Sequence, residues 1–150
     1  MDIPLTSKIS ARTQVVGSAN AKIGDYVLIT VPRLQLGNGS QIGAGTKIIG
    51  RGPVVLGAHV VIGYNCIIMS SSDRLAKSMD DASPEFERNI ITAPIILEDY
   101  VYVGSGSVIM PGVTIRRRGV LGALSYLSHN QEIPAGKLAW GIPAKIMGDR

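Results

Sequence analysis

The sequence predicts an all-β fold, a left-handed parallel β-helix of six-residue repeats, with a protruding loop at about 70–90 and a C-terminal cap at 128–150. Three observations carry this reading. Fourteen aliphatic residues keep strict six-residue spacing in four blocks: Ile23 and Ile29; Leu36, Ile42 and Ile48; Leu56, Ile62 and Ile68; and Leu97, Val103, Ile109, Ile115, Leu121 and Leu127. The residue after them is often Gly (24, 37, 43, 57, 63, 104 and 122), and the residue four on is small or β-branched, as at Val27, Thr46, Cys66 and Ser107. Hydrophobic residues make up 45% of the chain but aromatic ones only 5%, which suits a narrow Ile/Val/Leu interior better than a sandwich. A period of six fits neither an amphipathic helix nor the alternation of an ordinary strand. It fits a short strand and a turn, three of which make one triangular coil of about eighteen residues. Coils stack about 4.8 Å apart, with backbone hydrogen bonds running from coil to coil. The 18 glycines and 8 prolines recur inside the blocks and would break any helix across them.

Taken in order, Ile9–Thr13 and Val15–Ala19 read as a partial opening coil. Pro32-Arg33 adds one residue between Ile29 and Leu36, and the stretch around Arg51-Gly52-Pro53 adds two between Ile48 and Leu56. Both read as bulged corners that leave the stacked strands in register. The period stops from Ser70 to about Asn89, a polar segment of a length that is usually functional or disordered. It resumes at Ile90–Ile96 and runs to Leu127, after which His129–Gly136 is expected to leave the coil and Lys137–Arg150 to cap its open end. The whole of 1–150 reads as one domain. Tyr100 and Tyr102 alternate around Val101, so only one of them can face inward. Asn38 and Asn65 fall at corners, where Asn tolerates positive φ. A flat coil face carrying Val54, Val60 and Val108 is expected to be covered by association between copies.

The lone Cys66 cannot form an internal disulfide and reads as a small packed residue. Met1-Asp2-Ile3-Pro4 lacks a secretory pattern, and no apolar run is long enough to span a bilayer, so a cytoplasmic protein without membrane insertion is expected. The formal charge of +4 is unevenly distributed. Residues 70–90 carry five acids and three bases, whereas 116–150 carry six bases, among them Arg116, Arg117, Arg118 and Lys145, and two acids. A basic end attracts polyanions. The region has no aromatic interleaving and no nucleic-acid module, so a phosphorylated small molecule is expected rather than nucleic acid.

Three segments carry a family resemblance: the repeats at 56–68, the stretch Ala93–Ile115, and Val120–Met147 with its Ile-Pro-Ala-Gly turn and Gly-Ile-Pro-Ala-Lys tail. Together they resemble the hexapeptide-repeat acyltransferases, above all the O-acetyltransferases of galactosides, maltose and bacterial surface polysaccharides. The resemblance implies a homotrimer with acetyl-CoA lying in grooves between subunits, its nucleotide towards the C-terminal end. By motif position it places Tyr102 and Ser105 in the acceptor and thioester region. Ala123 matches a backbone position that binds the pantetheine arm, Ser128 a hydroxyl position beyond it, and Lys145 a basic residue at the nucleotide phosphates. Arg117 belongs to a basic corner where a phosphate contact and a solvated triplet are both open readings. Trp140 has two readings as well, packing of the cap and stacking on adenine.

Transfer to a hydroxyl requires a base, because an alcohol becomes nucleophilic only as its proton leaves. The resemblance puts a His at the start of the long loop, where this chain reads Ser71-Ser72-Asp73-Arg74. Asp73 or Arg74 replaces it according to the alignment. An ordinary carboxylate is a weak base at neutral pH, and a guanidinium accepts no proton. Of the two His, His59 sits at a coil corner and is the better substitute; His129 lies just past the last repeat, towards the presumed nucleotide end. Three readings compete: O-acetyl transfer to a sugar using His59 or Asp73, N-acetyl transfer to an aminosugar that needs less help from a base, and a scaffold without chemistry. A zinc enzyme of the γ-carbonic anhydrase kind would need three His, so no metal site is expected.

Overall fold

The computed structural model describes residues 1–73 and 90–150, and among them every regular element is a strand. The strands are short because each hexad spends two or three residues on an extended segment and the rest on a corner. They stack into three parallel sheets that form the sides of a triangular left-handed β-helix. Sheet 1 contains β3 (Lys22–Ile23), β6 (Gln41–Ile42), β9 (Val61–Ile62), β14 (Tyr102–Val103), β17 (Val120–Leu121) and β20 (Lys137–Gly141), and antiparallel β21 (Ala144–Asp149) closes its end. Sheet 2 contains β1 (Lys8–Ile9), β4 (Leu28–Ile29), β7 (Lys47–Ile49), β10 (Ile67–Met69), β15 (Val108–Ile109) and β18 (Tyr126–Leu127). Sheet 3 contains β2 (Gln14–Gly17), β5 (Arg33–Leu36), β8 (Val54–Leu56), β13 (Ile95–Leu97), β16 (Thr114–Ile115) and β19 (Glu132–Ile133). The chain passes from sheet 3 to sheet 1 at corner I, from 1 to 2 at corner II, and from 2 to 3 at corner III.

All fourteen aliphatic residues of the repeat point inward, none more than 3% exposed. They meet in register, as Leu97 on Ile115 and Ile109 on Leu127. Each such side chain contributes about 1.5–3 kcal/mol through burial. The position four residues on lies inside the corner. At corner II it forms a polar ladder: the Thr46 hydroxyl donates to the Gly63 carbonyl (3.0 Å) and accepts from the Cys66 amide (3.1 Å). The Ser107 hydroxyl likewise donates to the Gly122 carbonyl at 2.9 Å. Small size and a hydroxyl at this position are therefore dictated by the neighbouring coil. Burial raises the Cys66 thiol above its ordinary range, which makes it the packed, unreactive residue expected.

The corners differ in regularity. Every step between inward residues across corners I and II is six residues, as in Leu56–Ile62–Ile68 and Leu97–Val103–Ile109. Corner III absorbs all the irregularity: seven residues from Ile29 to Leu36, eight from Ile48 to Leu56, and the whole excursion between Ile68 and Leu97. That excursion leaves as β11 (Ser71–Asp73) and returns as β12 (Ile90–Thr92), which pair antiparallel.

Several expectations are corrected. The coil does not end at Leu127: Ile133 and Ala139 take the next two inward positions, 0% and 1% exposed, and β19 and β20 continue sheets 3 and 1. The polar run Ser128–Glu132 had concealed the repeat. The cap is the β20–β21 hairpin. Ile90–Thr92 belongs to the arm rather than to the repeat, which resumes at β13. Val54 and Val60 are completely buried, so they cannot form an outer face. The bound on the tyrosines is met with room to spare, since Val101 and Val103 face inward and both Tyr100 and Tyr102 are exposed. Asn65 takes positive φ as expected, but beside Asn38 it is Gly39 that does so.

Candidate active site

Four of the six residues assigned to coenzyme binding lie on sheet 1 or its corner II edge. Tyr102 projects outward from β14 and is 42% exposed. Ser105 follows in the corner, its hydroxyl accepting from the Tyr64 amide at 3.0 Å. Ala123 lies one coil beyond, where Leu124 donates from its amide to the Ser105 carbonyl at 2.9 Å. Lys145 is exposed on β21 opposite Trp140 of β20, whose strand ends at the same edge with the Gly141 amide on the Ser125 hydroxyl at 3.0 Å. The path from Ser105 through Ala123 to Trp140 is tight. A Cβ on Gly104 would fall 2.3 Å from the Ala123 backbone nitrogen, and one on Gly122 would fall 2.8 Å from the Trp140 Cβ. Successive coils are thus packed backbone to backbone along this edge, with no room for larger side chains between them. Trp140 itself is 45% exposed; Ala139 and Ala144, not the indole, close the interior.

A groove of about 490 Å³ opens on sheet 1 at the other end of this path, lined by Lys22, Asp25, Gln41, Tyr64, Tyr102 and Ser105. It pairs aromatic faces with charged and amide groups, a mixture that holds a polyhydroxyl ligand.

Arg117 and Ser128 lie elsewhere. Arg117 is at corner I, its guanidinium carbon 5.3 Å from the centre of the Tyr100 ring, beside a cavity of about 400 Å³ that Glu98 and Asp99 also line. Its neighbour Arg116 is committed to carboxylates, bonded to Glu98 at 2.9 Å and Glu132 at 3.0 Å. The Glu132 and Glu98 hydrogen bonds raise the Arg116 guanidinium still further above its ordinary range. The Arg116 hydrogen bond, followed by the Arg117 amide, lowers the Glu98 carboxyl. The Arg116–Arg118 triplet is therefore not a uniform phosphate cradle, and corner I is separated from Lys145 by the width of sheet 1. Ser128 lies at corner III, its amide donating to the Gln131 side chain at 2.6 Å.

The residues put forward as bases are not brought together. His59 is at corner I with φ of 56°, stacked on Tyr100 with ring centres 5.1 Å apart. Asp73 is exposed at the end of β11, at corner III. Arg74 lies outside the described residues. The contact that sequence reasoning missed is between Ser72 and His129, where Ser72 Oγ and His129 Nε2 are 2.7 Å apart. Sequence placed His129 beyond the last coil; the structure places it on a further coil, facing the root of the arm. The six-residue step from Leu127 to Ile133 was the signal that could have found it. Among the described residues no three His, Cys, Asp or Glu side chains gather as a metal site would require.

The chain is similar to known acyltransferases. Residues 94–128 match the model for the hexapeptide repeat of succinyl-transferase. The chain is 30% identical over 132 residues to the putative colanic acid biosynthesis acetyltransferase WcaF of Escherichia coli strain K12, covering 87% of this chain and 67% of that protein. It is 28% identical to the dTDP-4-amino-4,6-dideoxy-D-glucose acyltransferase of Escherichia coli, covering 95% and 79%. Among solved structures, a hexapeptide-repeat-containing acetyltransferase from Vibrio cholerae O1 biovar eltor, complexed with acetyl coenzyme A, superposes with a TM-score of 0.69 at 25% identity over 90% of this chain and 70% of that one.

Proposed function

This chain belongs to the hexapeptide-repeat acyltransferases, and from that premise we propose that it transfers the acetyl group of acetyl-CoA to a hydroxyl of a sugar or polysaccharide precursor. The observation that carries the proposal is the closely packed edge of corner II, which runs from Tyr102 and Ser105 past Ala123 to Trp140 and Lys145. A pantetheine arm has two amides to pair with backbone groups, and its nucleotide end needs a cation. The edge supplies both in that order, with Lys145 at the phosphate end. The groove beside Tyr102 then receives the acceptor.

The working form is a homotrimer. Sheet 1 turns Val61, Tyr102, Val120 and Leu138 outward in register, an apolar column that supports lateral association of β-helices. In a trimer the corner II edge of one copy faces another copy, so residues of other corners join the site across the interface. An acyl-CoA donor favours the cytoplasm.

A second reading is N-acetyl transfer to an aminosugar, favoured by the similarity to the dTDP-aminosugar acyltransferase. Release of free CoA thiol, followed with sugar alcohols and aminosugars side by side, separates the two. Turnover with hydroxyl acceptors supports O-transfer, and turnover with amines alone supports N-transfer. Binding of acetyl-CoA with no turnover on either class supports a scaffold that retains the fold without the chemistry.

A further inference from the structure

Ser72 and His129 are 57 residues apart in sequence, and the fold goes some way to bring them together. β10, β15 and β18 are successive neighbours in sheet 2, so the corner holding His129 lies two coils beyond the corner that the arm leaves. Two coil spacings are about 10 Å along the axis. The arm covers that distance by rising along corner III. It is anchored below, where the Ala93 amide donates to the Ser70 carbonyl (3.0 Å), the Gly52 amide to the Ser70 hydroxyl (3.0 Å) and the Arg51 amide to the Ser71 hydroxyl (3.2 Å). At its upper end the Ser72 hydroxyl reaches the imidazole. Both residues are half-buried, and the coil does not need them to close: the Asn130 amide bonds the Pro111 carbonyl at 3.0 Å through backbone alone.

We propose that Ser72 and His129 form the proton acceptor of acyl transfer, with Ser72 as the hydroxyl that meets the acceptor and His129 as the group that holds the proton. A serine hydroxyl bonded to an imidazole nitrogen is how proteins remove a proton from oxygen at neutral pH. No such contact is made by Asp73, an exposed carboxylate, or by His59, which is stacked on Tyr100 at another corner. With the ring proton on Nδ1, the Nε2 lone pair accepts from Ser72. The acceptor hydroxyl donates to Ser72 Oγ. As its oxygen bonds to the acyl carbon, its proton passes to Ser72 Oγ and the serine proton passes to Nε2. When the tetrahedral adduct collapses, the C–S bond breaks and the departing thiolate takes a proton back along the same hydroxyl. The products are the ester, free CoA thiol and a neutral pair.

This inference rests on the acyltransferase reading, and its test is arranged to fail separately. The full-length protein is assayed with acetyl-CoA and a hydroxyl acceptor, with acetyl-CoA affinity measured independently by calorimetry. His129→Ala is expected to lower kcat by about a hundred- to ten-thousand-fold, the usual span for a positioned base. Acetyl-CoA affinity should stay within about threefold, because the lost interaction belongs to the transition state. Added imidazole should restore part of the rate to His129→Ala. Ser72→Ala should be slow, and Ser72→Thr, which keeps the hydroxyl, should recover. His129→Gln preserves size and a hydrogen bond to Ser72, so it serves if the alanine variant does not fold, and it too should be slow. A His129→Gln enzyme that turns over at the wild-type rate overturns the inference. So does a rate loss that tracks lost thermal stability and does not respond to imidazole, since the pair would then only fasten the arm. A wild-type protein that binds no acetyl-CoA overturns the acyltransferase reading itself, and this inference with it.

Discussion

Corners II and III are built from the same repeat and do opposite things. At corner II each step is six residues, the glycines let backbone approach backbone, and the hydroxyls of Thr46 and Ser107 face inward to bond the next coil. At corner III the steps vary, serines crowd the root of an arm, and the hydroxyl of Ser72 faces a histidine. The regular edge offers an unbroken backbone track that suits a long coenzyme. The irregular edge admits residues the repeat cannot specify, and there the chemistry of an individual member can be placed.

The most severe way to break the contrast is to insert two residues in each corner and follow thermal unfolding. Between Gly104 and Ser105 the insertion pushes Ala123 out of contact and strips the Ser107 ladder. We expect a loss of more than about 3 kcal/mol, in the range reserved for disrupted cores and networks. Between Arg51 and Gly52, where two extra residues are already accommodated, the loss should be smaller, about 1–2 kcal/mol, because only the Gly52–Ser70 and Arg51–Ser71 hydrogen bonds are at risk. A subtler version is Gly104→Ala, whose Cβ would meet the Ala123 nitrogen at 2.3 Å. It should cost about 1–3 kcal/mol and weaken acetyl-CoA, whereas Gly148→Ala, with open space around it, should be silent in both assays. Next, Lys145→Ala should weaken acetyl-CoA by about 1 kcal/mol, roughly fivefold, through loss of an exposed phosphate contact. Arg116→Ala should leave that affinity unchanged, since its guanidinium already serves Glu98 and Glu132.

The smallest expected effect concerns pH. Arg116 holds the Glu98 carboxyl below its ordinary value of 4.5, so the folded pKa lies under the unfolded one. The stability this contributes is complete above pH 4.5 and is lost as pH falls through the lower, folded value. Glu98→Gln should therefore show a slightly smaller fall in melting temperature between pH 6 and acid than the wild type, with screening keeping the difference small.

Most of the fold was legible because one aliphatic side chain per six residues is the only way such a coil is filled, and every one of those residues is inside. Legibility failed where the inward position is marked weakly. Ile133 follows five polar residues and Ala139 is small, so two strands of the coil were read as tail. The grouping of candidate residues was legible along corner II, where Tyr102, Ser105, Ala123 and Lys145 fall towards one edge of the coil. It was not legible at corner III. The meeting of Ser72 with His129 depends on the direction the arm takes across two coils, and no periodicity encodes that. That Arg117 lies on a different corner from Lys145 was hidden for a related reason. Charge density along a sequence does not say which of three corners a residue occupies, nor that Arg116 beside it is already neutralised.

The central claim is that coenzyme binding on corner II and proton transfer on corner III, which sheet 2 separates within one chain, combine across an interface between copies. Mixed oligomers test it directly. Lys145→Ala and His129→Gln proteins are unfolded together in equal amounts, refolded as a mixture and assayed for acetyl transfer at limiting acetyl-CoA. If each site takes Lys145 from one copy and His129 from the next, random assembly leaves about a quarter of the interfaces with both intact, and activity should rise to roughly that fraction of wild type from two weak parents. A mixture no more active than the average of its parents would contradict the account.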